Sequence, residues 1–148
     1  MKKEWSLYLD KNIEELKTIE PNWAYGKHYR KARYTQELLN VGCNIFHVKL
    51  AEIIKYADFG EVRLDKLFHG ENNNDKRIAE IIYRWDNSQF VDPPHIYLDI
   101  DKKTILFSDG RHRTKTAYLL GQLQIPIIVS IDDVLSIKQL LALSTEPF

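Results

Sequence analysis

Cys43 is the only cysteine among 148 residues. That excludes an intrachain disulfide and a cysteine-based metal cluster, and it fits a reducing compartment. An excess of either charge is also missing, since 21 Lys and Arg are matched by 21 Asp and Glu for a formal net charge of zero. A protein built mainly to hold duplex backbone carries a basic excess or stripe, so backbone binding is not the main task expected here. Long apolar runs are lacking too. The basic start at Lys2 and Lys3 leads into Asp10, Lys11 and Asn12 rather than a hydrophobic stretch. Neither a signal peptide nor a membrane span is expected, and the expected location is cytoplasmic. There are no internal repeats, and no low-complexity tract beyond the short run Asn72, Asn73, Asn74.

What the chain does have is material for one core. It is 44% hydrophobic and 28% charged, in the range of a single globular domain rather than a disordered chain. Trp5, Tyr8, Trp23, Tyr25, Tyr29 and Tyr34 crowd the first third, as packing material or as a partner-facing surface.

Ile13, Leu16 and Ile19 have helical spacing, and a second helix is expected over residues 29–39, stopped by Gly42. Residues 46–55 begin with strand alternation and end with helical spacing, so they are expected to divide. Val62 and Leu64 alternate with Arg63 and Asp65 as a short strand. Asn74 or Asp75 is a candidate cap for a helix over residues 75–85, with Ile78, Ile81, Ile82 and Trp85 inward. Strands are expected at residues 95–99, 105–107 and 125–129, with a helix between the last two. A final helix is expected from Asp132 or Asp133 through Leu135, Leu140 and Leu141, ahead of a loose tail on which Phe148 can dock. The fold class is α/β (α+β), a small mixed sheet preceded by a helical extension. The expected division is residues 1–44 as the extension and 45–148 as the domain.

The densest chemistry is Ser108-Asp109-Gly110-Arg111-His112-Arg113-Thr114-Lys115. A strand, a glycine turn and a helix opening on basic and hydroxyl side chains make an anion cradle. Gly110 permits unusual backbone geometry and close ligand approach, and first-turn amides with the helix dipole favour an anion. Arg113 offers a planar fork; Thr114 adds a hydroxyl and Lys115 a point charge. Asp109 can cap the helix, position His112 or meet a ligand through a cation. Basic residues in a first turn oppose the dipole and call for a compensating reason. The bland alternative is a capped helix with solvated charges.

Phe107 to Arg113, then Ala117, Leu120-Gly121 and Ile125-Pro126, resemble the core motif of the ParB/sulfiredoxin-like superfamily over about residues 60–130. In that resemblance Val62 to Leu67 stands for the opening strand, and Pro93-Pro94 introduces the second. Sulfiredoxin chemistry would need a cysteine where Arg111 stands, which argues against it. A partitioning role would need a helix-turn-helix domain, for which the 19 residues after Val129 are too few. The resemblance to a branch with a D-G-H-H-R type turn implies nucleotide phosphates at Gly110 to Lys115, ATP or another nucleotide with Mg²⁺, and a separate acidic base. Glu71 is the best placed base and Asp75 the next, with Asp109 and His112 as further catalytic candidates. A nuclease would need carboxylates such as Asp65, Glu71, Asp92 and Asp109 around a metal, and their spacing specifies none.

These residues are compatible with three functions. The first is a nucleotide- or phosphate-binding protein, an ATP-dependent phosphotransferase or ATPase in its fullest form. The second is a non-catalytic interaction protein of immunity, inhibitor or regulator type, using the aromatic N-terminal portion. The third is nucleic-acid binding or cleavage, through Arg111, Arg113 and Lys115 joined by Lys27, Arg30, Lys31 and Arg33. Among the five histidines no zinc spacing occurs, and His112 is the one expected to take part.

Overall fold

The computed structural model describes residues 4–145, an α+β arrangement around one small mixed sheet. A 3-10 turn, Glu4–Asp10, leads to α1, Ile13–Leu16, a second 3-10 turn, Gly26–Lys31, and α2, Arg33–Asn40. Next come β1, Cys43–Lys49, α3, Leu50–Tyr56, and α4, Asn72–Asp86. The hairpin of β2, His95–Leu98, and β3, Ile105–Asp109, precedes α5, Arg111–Leu119, and β4, Gln124–Ser130. A 3-10 turn, α6, Val134–Leu140, and a two-residue β5, Ser144–Thr145, follow.

The strand order is β3-β2-β4-β1-β5. All neighbours are antiparallel except β2 and β4. β4 is apolar because both of its faces are covered. Ile125, Ile127 and Val129 enter the main core, while Ile128 meets Cys43 and Ile45 on the other face, under Leu38 and Leu39. Pro126 is tolerated in this inner strand for a local reason. Ile128 donates its N–H to Pro94 O at 2.8 Å on the β2 side. Two residues earlier, Pro126 turns its missing donor to the same side, where β2 has not yet begun.

α4 closes the core with Ile78 and Ile82, both fully buried, and Trp85, at the spacing of one helical face. The N-terminal aromatics join the same core. Tyr8 and Trp23 are buried, Trp5 and Tyr25 pack against the cluster, and Trp23 stacks edge-on to Trp85 at 5.2 Å. Tyr8 also donates its hydroxyl to Asp86 at 2.5 Å.

Several local expectations change. Residues 46–55 do divide, but β1 already begins at Cys43. Val62 and Leu64 form no strand: Val62 donates to Phe59 O in a turn, and its alternation with Leu64 reflects loop side chains docking on the core. The second helix starts only at Arg33, because Ala32 is extended. α4 begins three residues early, at Asn72. Neither Asn74 nor Asp75 caps it; Glu71 occupies the cap position without a side-chain cap bond. Leu135 is 78% exposed, and Ile137 takes the inward position of α6. Part of the expected tail pairs with β1 as β5, while Phe148 lies outside the described residues. No helix among the described residues is long and apolar enough to cross a membrane.

Candidate functional site

The β3–α5 turn is shaped by Gly110, which has φ 105°. A Cβ at this position would lie 2.6 Å from both Cα and Cβ of Pro94. Glycine is therefore required twice over, by backbone conformation and by the close approach of the β2 lead-in. The turn delivers the first residues of α5 beside the first turn of α4. Between them lies a cavity of about 710 Å³, lined by Asn72, Asn73, Asn74, Arg77, Arg111 and His112, with Glu61 and Glu71 at its wall. A second cavity of about 200 Å³ continues past Arg77 and His112 to Ile81, Arg84, Asp109 and Arg113.

The structure separates the predicted residues into two groups. Gly110, Arg111, His112, Arg113, Asp109 and Glu71 line one or other cavity. Thr114 and Lys115 do not. Thr114 is fully buried and donates its hydroxyl to Gly110 O at 2.8 Å. Lys115 is 2% exposed, with its ammonium 3.5 Å from His69 Nδ1. His69 Nε2 in turn lies 2.7 Å from Asp65 Oδ1. Burial pushes the Lys115 ammonium down against the pull of Asp75, Asp65 and Glu71. Asp75 itself is buried and accepts the N–H groups of His69 and Gly70 at 3.1 and 2.9 Å. This polar cluster ties the irregular segment that walls the cavity to the second turn of α5.

Around the cavity, Arg113 pairs with Asp109 at 3.1 Å, while its buried Nε has no partner among the described residues. Arg111 is exposed and donates to Phe59 O at 3.4 Å. Glu71 accepts from Arg63 at 2.8 Å and from Asn74 Nδ2 at 2.9 Å, and these two hydrogen bonds hold its carboxyl below the usual range. His112 Nε2 lies 2.7 Å from Asn74 Oδ1. Burial, then the charges of Arg77, Arg111, Lys115 and Arg113, lower His112 to about 4, so the ring is neutral at pH 7.

The four carboxylates weighed for a metal are dispersed. Asp65 holds His69, Glu71 holds Arg63, Asp109 holds Arg113, and Asp92 accepts Thr35 N at 2.7 Å together with the Thr35 hydroxyl. No three His, Cys, Asp or Glu converge among the described residues.

Sequence reasoning missed Asn74 as a partner of His112, Arg77 as a cavity residue, and Tyr34. Burial and the Asp109 carboxylate push the Tyr34 phenol up, opposed by its hydrogen bond with Ser108. The asparagine run was the visible signal for Asn74. The approach of Tyr34 to Ser108 and Asp109 crosses more than 70 residues of chain and leaves no local trace.

Comparison with known proteins finds no matching family model, no matching curated protein and no matching solved structure.

Proposed function

We propose that this chain is a nucleotide- or phosphate-binding protein of the ParB/sulfiredoxin-like type, acting as an ATP-dependent phosphotransferase or ATPase in the cytoplasm. One observation carries the reading. The first turns of α4 and α5 open on the same cavity, and Arg77 and Arg111 line it with them. Unpaired first-turn amides and the two helix dipoles favour negative charge, and the guanidinium groups add charge-assisted donors. This supplies the compensating reason for basic residues at the start of α5: an anion between them reverses an otherwise unfavourable placement. Mg²⁺ would arrive with the nucleotide, held largely by its phosphates. The element order strand, glycine turn, helix, strand at residues 105–130 also supports the family proposal.

The interaction reading draws less support, because Tyr8 and Trp23 contribute to the core rather than to an exposed face. The cavity lining also contains no residue from the first 44.

Isothermal calorimetry with ATP, ADP, CTP and inorganic pyrophosphate, each with and without Mg²⁺, tests the proposal. Binding that weakens for Arg111→Ala and Arg77→Ala is expected. Absence of heat for every ligand at millimolar concentration overturns it.

A further inference from the structure

Glu71, Asn74 and His112 form one chain of hydrogen bonds at the large cavity, and the chain has a fixed direction. An ionised carboxylate only accepts. Asn74 therefore turns its NH₂ group to Glu71 Oε2, 2.9 Å away. That leaves Asn74 Oδ1 facing His112 Nε2 at 2.7 Å. An oxygen acceptor there selects the neutral imidazole with its proton on Nε2 and an unprotonated Nδ1. Nδ1 has no hydrogen-bond partner among the described residues.

We infer that His112 Nδ1 is the general base of this site, and that Asn74 and Glu71 are positioning residues that fix its tautomer. The inference rests on the phosphate-site reading above, and it exchanges the expected role of Glu71 for that of an anchor. In ATP hydrolysis the attacking water gives a proton to Nδ1 as its oxygen bonds to the γ-phosphorus. The bond from that phosphorus to the bridging oxygen breaks, and ADP leaves with the electron pair. The proton on Nδ1 then passes to solvent.

The charges around His112 make the base responsive to its substrate. Arg77, Glu80 and Arg84 face the two cavities from α4, Glu61 and Glu71 from the segment before it, and Asp109 from β3. Arg111, Arg113 and Lys115 share the helix of His112, and with Arg77 they depress its basicity. A polyphosphate offsets those cations, so its binding raises His112 toward the range where a base works well. By linkage, that binding takes up a proton in mildly acidic solution.

The test uses the full chain, Mg-ATP as probe, ADP release as the rate and calorimetry for affinity. His112→Gln, or His112→Asn if the first variant does not fold, is expected to lower kcat by about a hundredfold or more while ATP still binds. Glu71→Gln keeps an oxygen that accepts from Asn74 but loses the charge that orients it, so kcat is expected to fall by about fivefold, far less than for loss of a base. Asn74→Leu is expected to lower kcat by about tenfold. In ¹⁵N spectra of the imidazole it also loses the Nε2-protonated preference seen in the unsubstituted protein, and ATP raises the His112 pKa in the unsubstituted protein. Loss of turnover in Glu71→Gln with retention in His112→Gln overturns the inference, as does ATP binding without hydrolysis by the unsubstituted chain. Both results leave the phosphate site standing. No ATP binding at all overturns the site and the base together.

Discussion

Gly110 lies so close to Pro94 that a single added methyl at Gly110 would sit 2.6 Å from the Pro94 Cα. The contact joins the β3–α5 turn to the lead-in of β2, and with it sets where α5 points its first turn. Gly110→Ala must therefore leave the left-handed region or push Pro94 away. The left-handed conformation costs about 1–2 kcal/mol for a residue with a Cβ, and overpacking typically adds about 1–3 kcal/mol. A loss of about 2–4 kcal/mol is expected in urea unfolding, with an unchanged slope. Stability within about 0.5 kcal/mol of the parent would show that the turn yields freely.

Lys115 is expected to be silent in ligand binding. Its ammonium is buried toward His69, one helical turn past Arg111 on the same side of α5, and it lines neither cavity. Lys115→Met keeps the stem's packing and removes the charge. ATP affinity should stay within about threefold, because no charge-assisted contact is lost. Arg111→Ala should weaken binding by about tenfold or more, the scale of one charged hydrogen bond. Parallel calorimetric titrations decide it, and equal losses in both variants would place Lys115 in the site.

The contrast between these two residues shows what could be read from the chain. Gly110 and the helix behind it were legible because a glycine between an apolar strand and a helical run leaves few other geometries. The strand at Ile125 to Val129 was legible because burial on both faces demands an unbroken apolar run. Thr114 and Lys115 were misplaced because sequence adjacency says nothing about depth along the helix: residues 111 and 112 at its exposed start look into the cavity, whereas 114 and 115, one turn on, are buried. Val62 imitated a strand because a docked loop also buries alternate side chains. Asn74 escaped notice because its partner His112 is 38 residues away.

Asp92 illustrates the same long reach and gives a structural prediction. Its carboxylate accepts from Thr35 N at 2.7 Å and from the Thr35 hydroxyl, capping α2 from a segment 57 residues distant. Ala32, at the position that would normally cap, makes no side-chain cap bond. Asp92→Ala should cost about 1–2 kcal/mol, in line with loss of a helix cap. Hydrogen exchange should rise in α2 before it rises in α4. Uniform acceleration across both helices would mean that Asp92 acts on the whole core rather than on α2.

His112 also makes stability depend on pH. Its folded value is about 4, below the ordinary 6.5, and the leading cause is burial, followed by the Arg77 charge. Above pH 6.5 the ring is neutral in both folded and unfolded chains, so this group adds no slope. As pH falls from 6.5 toward 4, the unfolded chain takes up a proton that the folded chain refuses, and stability falls. Below about 4 both forms are charged and the loss levels off. The penalty stays below the ~3 kcal/mol that one pKa unit per 1.36 kcal/mol would give, because the ring is only half-buried and solvent screens the charges around it. His95, also lowered by burial, adds to the same window. The depressed carboxyls of Glu71 and Asp65 act lower, where their unfolded counterparts begin to protonate. Urea unfolding at pH 7 and pH 5 separates the contributions. His112→Gln should reduce the difference between the two pH values and leave the part due to His95. An unchanged difference would show that the His112 ring takes up its proton in the folded chain as readily as in the unfolded one. It would also remove the electrostatic basis for a polyphosphate raising its pKa.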